Sequence, residues 1–192
     1  MNRLHLVWHR WRAVAWLLLG RDEAALSQFN RICRRWPDDS DALASRAHLL
    51  MRMGCVDVAL RDSARLIVMR PDEASVWFNH GYMLEAAQRW DEALAAFQRA
   101  TERSPRLDRA WYGLALVLIR LRRLDEAVQA LNRNTELQPL SPYGWYQLAL
   151  VHVERKETKA AQKIIRHLQG FEPSVAAQLL RETGIQVGVP GG

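Results

Sequence analysis

Apolar residues recur along this chain at spacings of three and four, the interval that gathers side chains onto one helix face. Trp77, His80, Gly81 and Leu84 fall into one such stripe, and Ala93, Phe97 and Ala100 into the next. The stripes come in successive pairs, which predicts pairs of helices whose apolar faces meet. The pairs themselves repeat. Pro37, Pro71, Pro105, Pro139 and Pro173 are five of the seven prolines and stand 34 residues apart. At an average proline usage of about 5%, such phasing arises by chance with a probability on the order of 10⁻⁵.

Two more columns share the period. Ala25, Ala59, Ala93, Ala127 and Ala161 form one, and Ala13, Ala47, Gly81, Ala115 and Ala149 the other. Small residues in the second column fit a close crossing of two helices, where a methyl added at Gly81 would push the axes apart. Each proline lacks a backbone donor and ends the second helix of a pair, and the Asp72, Asp108 or Ser141 that follows is expected to cap the next helix. Pro142 sits just inside a helix start, where proline is tolerated.

These columns resemble the tetratricopeptide repeat family, whose unit is a helix, a turn, an antiparallel helix and a proline-marked link. Trp77, Gly81, Leu84, Ala93, Phe97, Ala100 and Pro105 fill the signature slots. So do Trp111, Leu114, Ala115, Leu118, Ala127, Leu131 and Pro139, and again Trp145, Leu148, Ala149, Ala161, Ile165, Leu168 and Pro173. The resemblance implies an all-α fold, a right-handed superhelical α-solenoid of antiparallel helix pairs. Five units are expected at 6–39, 40–73, 74–107, 108–141 and 142–175, with an extension at 1–5, a capping helix at 176–184 and a flexible tail at 185–192.

The pattern weakens toward the N-terminal end. His9 and Leu43 stand in the tryptophan column, and Arg12 and Arg46 take the slots that Leu114 and Leu148 fill later. Shifting the first helix by one residue would bring Trp8 and Trp11 into the large apolar slots but set Arg12 against the tight crossing, so its register stays open between two frames. The apolar run Ala13 to Leu19 follows Arg3, Arg10 and Arg12 but leads into Gly20-Arg21-Asp22-Glu23, which offers no small-residue cleavage site. A repeat helix explains this run better than a signal or an anchor, and a membrane is not the leading partner. Residues 1–20, with Trp8, Trp11 and Trp16 in an open frame, are nonetheless expected to fold fully only against a partner, a membrane surface or a second copy.

Of the 27 Lys and Arg, only Lys156, Lys159 and Lys163 are lysine, and against 21 Asp and Glu they leave a net charge of +6. The charge is spread around the helices without forming one stripe, so a nucleic-acid-binding solenoid is the alternative reading, not the leading one. Two cysteines, Cys33 and Cys55, form no disulfide framework and fit a cytoplasmic location. No phosphate loop, metal-ligand spacing or nucleophile–base constellation occurs, so neither an enzyme nor a metal or other cofactor is expected. His80 and His152 read as packed core histidines, and Asp91-Glu92 and Asp125-Glu126 as acids favouring helix starts.

The resemblance implies a function in protein binding, with a peptide or helix of a partner held in a concave groove lined by the first helix of each unit. The chain would then act as a scaffold or a client chaperone. Candidate partner-binding residues are His48 and Arg52, then Phe78, Asn79 and Tyr82, then Arg109, Tyr112 and Leu116, and finally Tyr143, Tyr146 and Gln147. Aromatic rings with polar handles make effective anchors because they bury large area at small entropic cost. A subclass of the family grips carboxylate tails with a five-residue clamp, of which Asn79 and Arg109 match, while Ala44, His48 and Gly113 depart from it.

Overall fold

Eleven helices follow one another through residues 3–187, the part of the chain that the computed structural model describes, with side chains described from His5 onward; no strand occurs among these residues. The far end of the expected tail, 188–192, lies outside the described residues. The chain divides into two compact units. Unit 1, Met1–Arg103, contains α1 (Arg3–Leu18), α2 (Asp22–Arg35), α3 (Ser40–Arg52), α4 (Val56–Met69), α5 (Ala74–Ala86) and α6 (Trp90–Arg103). Unit 2, Ser104–Gly192, contains α7 (Asp108–Arg120), α8 (Leu124–Leu137), α9 (Pro142–Glu154), α10 (Thr158–Phe171) and α11 (Pro173–Thr183).

Short links force consecutive helices back on themselves, so α1 packs on α2, α3 on α4 and α5 on α6 in unit 1, and α7 on α8 and α9 on α10 in unit 2. Successive pairs join through α2 with α3, α4 with α5, and α8 with α9, while α11 packs on both α10 and α9. Both alanine columns are fully buried throughout, as the close crossings require. At Gly81 an added Cβ would lie 3.0 Å from the Phe97 ring.

The register of α1 follows the repeat and not the shifted frame. Ala13 is fully buried, with Leu6, Trp16 and Leu17 packed against the same core, and His9 fills the tryptophan slot beside Trp36 and 3.1 Å from Gln28. Trp8 and Trp11 face outward instead. The small-residue crossing decides, because an arginine there would cost more than two exposed indoles.

The expected side-chain caps are not used. Ser141 precedes α9 and makes no capping bond, Asp108 already lies inside α7, and α5 is preceded by Glu73 and not Asp72. Backbone turns take over, with the Val76 amide donating to Glu73 and the Ala110 amide to Leu107. Asp39 alone among these links accepts from an amide in the first turn, that of Ala42 at 3.0 Å.

The tryptophan and proline columns are physically coupled. The indole N–H of Trp77 donates to the Pro71 carbonyl at 2.7 Å, Trp111 to Pro105 at 3.0 Å, and Trp145 to Pro139 at 2.9 Å. Leu43 has no such donor, and Arg65 reaches the Pro37 carbonyl in its place at 3.2 Å. A further column sits at the turn inside each pair, where Gly20, Gly54, Gln88, Arg122 and Lys156 all adopt positive φ. Glycine takes that conformation without strain at the first two turns only.

Candidate functional site

In unit 1, α3, α4 and α5 enclose a cleft of about 60 Å³ lined by Ala44, Ala47, His48, Ser63, Leu66, Val76, Asn79, Tyr82 and Met83. The floor is buried and mostly apolar, from Ala47, Leu66, Val76 and Met83. His48, Asn79 and Tyr82 stand exposed at the rim, and Tyr82 keeps 55% of its surface open. Small-molecule sites run to about 300 Å³ or more, so this cleft fits one apolar side chain of a partner and not a cofactor.

The cleft's position follows from the neighbouring polar contacts. His80 Nδ1 lies 2.7 Å from Ser63 Oγ, which also donates to the Leu60 carbonyl at 3.0 Å. Burial pushes the His80 imidazole below its ordinary range and keeps it neutral. The pair has the spacing of a nucleophile and a base, but the serine is buried and bonded within its own helix turn, so it links α4 to α5 instead of facing a substrate. His80 is thus a packed histidine, half-buried, with a defined partner.

Arg46 occupies the same repeat position one unit earlier and does similar work with charge. Its guanidinium grips both carboxylate oxygens of buried Asp62 at 2.7 Å and donates to Asn30 at 3.1 Å, joining α2, α3 and α4. The Asp62 hydrogen bond raises the Arg46 pKa further. The arginine that departed from the repeat pattern is therefore accommodated by two polar residues that the sequence reading did not single out.

Among the other candidates in unit 1, Arg52 is committed to Asp22 at the start of α2, and the Phe78 ring packs 5.9 Å from that of Phe97. In unit 2, Arg109 and Tyr143 are exposed on α7 and α9, and Tyr112, Leu116 and Gln147 are half-buried. Tyr146 donates its hydroxyl to Glu182 of α11, with the Gln178 amide 3.5 Å away. The contact holds the Tyr146 phenol above and the Glu182 carboxyl below their usual ranges, because the hydrogen bond favours the O–H···carboxylate form. The cleft floor and the α11 contacts went unnoticed in the sequence; only the helical period, extended to α4 and α11, carried a trace of them.

No cluster of three potential metal ligands occurs among the described residues, and no described helix is long and apolar enough to cross a membrane. The tetratricopeptide repeat family model matches residues 3–40, 45–108, 84–142 and 112–166, which together cover most of the chain. The chain belongs to the tetratricopeptide repeat family. Repeats of this family generally serve as protein–protein interaction scaffolds without catalysis of their own. No curated protein matches the chain.

Solved structures of other tetratricopeptide repeat proteins share its fold. MamA residues 41 to the end from Desulfovibrio magneticus RS-1 is 20% identical, with a TM-score of 0.81 over 88% of this chain and 96% of that one. YrrB, described as a repeat protein with an unusual peptide-binding site, is 16% identical, with a TM-score of 0.75 over 88% of each chain. A repeat protein from Parabacteroides merdae ATCC 43184 is 16% identical, with a TM-score of 0.82 over 93% of this chain and 73% of that one.

Proposed function

We propose that this repeat protein is a noncatalytic binding module that takes up an apolar side chain of a partner peptide or helix in the α3–α5 cleft. It would serve as a scaffold or as a holder of client proteins. The observation that carries this reading is an open aromatic and amide rim, Tyr82 and Asn79, above a buried apolar floor. A ring such as Tyr82 covers the inserted side chain, while Asn79 and His48 offer hydrogen bonds that fix its direction. The peptide-binding description of YrrB supports the class of ligand. The unit 2 candidates Arg109, Tyr112, Leu116, Tyr143 and Gln147 would form a separate surface of the same kind, which Tyr146 joins only when α11 releases it.

Nucleic-acid binding draws less support. Arg46, Arg52, Arg70, Arg89, Arg103, Arg123 and Arg155 all hold carboxylates, so much of the basic surface is neutralised locally. The test is selection of binders from a displayed random-peptide library, followed by titration calorimetry. A Tyr82→Ala/Asn79→Ala variant, with helicity checked by circular dichroism, is expected to lose about tenfold or more in affinity, equivalent to ~1.4 kcal/mol. Unchanged affinity in the folded variant overturns the cleft reading, and salt-sensitive retention of RNA with no peptide selected favours the alternative.

A further inference from the structure

Helix α1 has two apolar faces, and only one is used. Leu6, Ala13, Trp16 and Leu17 pack into unit 1. Val7, Trp11, Val14 and Leu18, spaced by four, three and four, line the opposite side with Trp8 and Leu19 beside them, and all six are exposed. Trp11 keeps 70% and Leu18 83% of its surface in solvent. Isolated exposed apolar residues are ordinary, but a continuous stripe of this width marks an interaction surface.

The charges around the stripe say what covers it. From Met1 to Arg21 the sequence has four arginines and no acid, the first carboxylate being Asp22. Arg10 lies along one edge of the stripe and Arg12 along the other, with the Arg12 guanidinium 4.4 Å over the Trp8 ring. Arg10 is ion-paired to Asp39 and Asp41, which neutralise its charge locally, and lines, with Val7, Trp11 and Val14, a shallow depression on this face. Tryptophan and arginine flanking an aliphatic band are the residues that sit well at a lipid interface, rings at headgroup level and guanidinium groups at phosphates. A second copy laid antiparallel on the stripe would bring the Arg12 edge of one copy against that of the other. Anionic lipid headgroups complement the Arg12 edge.

We propose that the outward face of α1 is a docking surface for anionic membrane interfaces. At 16 residues the helix is too short to span a bilayer, so it lies in the interface plane with its stripe about 5–10 Å deep. This role adds to the peptide-binding reading without depending on it.

Flotation of the full chain with lipid vesicles tests this. With phosphatidylcholine vesicles containing about one third phosphatidylglycerol, the wild type floats, and with phosphatidylcholine alone the bound fraction falls about tenfold. A Trp11→Asp/Leu18→Asp variant changes two solvent-facing residues, so it stays folded, and it loses binding to the anionic vesicles by about tenfold. Three results overturn the proposal. The wild type does not float with anionic vesicles; the folded variant floats as well as the wild type, so that the stripe does not meet the lipid; or sedimentation without lipid reveals a wild-type dimer that the variant dissolves, which assigns the stripe to a second copy.

Discussion

One position of the repeat is occupied by Arg12, Arg46 and His80 in unit 1 and by Leu114 and Leu148 in unit 2. In unit 2 both leucines are buried and the helix pairs meet through apolar packing. In unit 1 the same position is polar, and Arg46 and His80 hold neighbouring helices through Asp62, Asn30 and Ser63. Apolar packing closes a helix interface by filling it, whereas a hydrogen bond fixes two points and leaves the space beside them to shape. The cleft at Ser63 lies in that space, beside the polar column.

The first helices of the units differ in the same sense. Tyr82 on α5 is open, while its counterpart on α9 is Leu150, half-buried, and Tyr146 nearby is engaged by α11. One face is left open and the other is taken by the chain itself.

Breaking the Arg46–Asp62 pair gives the largest expected effect. Asp62→Ala leaves a half-buried guanidinium without its carboxylate, held by Asn30 alone, and should destabilise unit 1 by about 3 kcal/mol. An Arg46→Leu/Asp62→Leu double variant, which converts the position to the unit 2 kind, should recover most of that loss in denaturant titrations. A double variant as unstable as Asp62→Ala would show that the column cannot be made apolar.

Gly144→Ala probes unit 2 in the complementary way. Its Cβ would collide with the Asn134 side-chain oxygen, and Asn134 is held by an N–H···O bond of 2.9 Å to the Asp108 carbonyl. Displacing that side chain should cost about 1–3 kcal/mol in urea unfolding. A neutral result would mean that the α8–α9 crossing is looser than its geometry.

Acid sharpens the contrast further. Because burial depresses the folded-state pKa of His80, its neutral form is stabilising above the unfolded value of about 6.5, and that contribution is lost as pH falls below it. The thermal midpoint of the wild type should drop between neutral pH and pH ~5, and His80→Leu, carrying the unit 2 residue, should flatten the curve. Ser63 keeps its bond to the Leu60 carbonyl in that variant, so little stability is lost otherwise.

The smallest effect lies at the turns. Gln88→Gly and Lys156→Gly relieve a left-handed backbone that Gly20 and Gly54 already adopt freely, one in a turn of each unit. Each should add up to about 1 kcal/mol, read from denaturation midpoints. Equal gains in both units would mark these turns as a feature the units share.

The repeat, its helices and the buried alanine columns were legible in the sequence because period and residue size carry them directly. The tryptophan–proline bonds were half-legible, as both columns were visible but not the indole N–H aimed at the carbonyl. Arg46 stood out as an exception whose cause lay in Asp62, a partner that only the folding of α4 against α3 reveals. The two frames for α1 could not be separated because both of its faces are apolar, and packing against α2 chose between them. Six of the candidate residues lie in unit 2, and nothing in residue type foretold that α11 would engage Tyr146.

The central claim is that a partner binds in the α3–α5 cleft of unit 1. Hydrogen exchange of the full chain with and without a selected peptide tests it most directly. Slowed exchange is expected in α3 and α5 around His48, Asn79 and Tyr82, with α9 and α11 unchanged. Protection confined to α9 and α11, or to neither face, would contradict it.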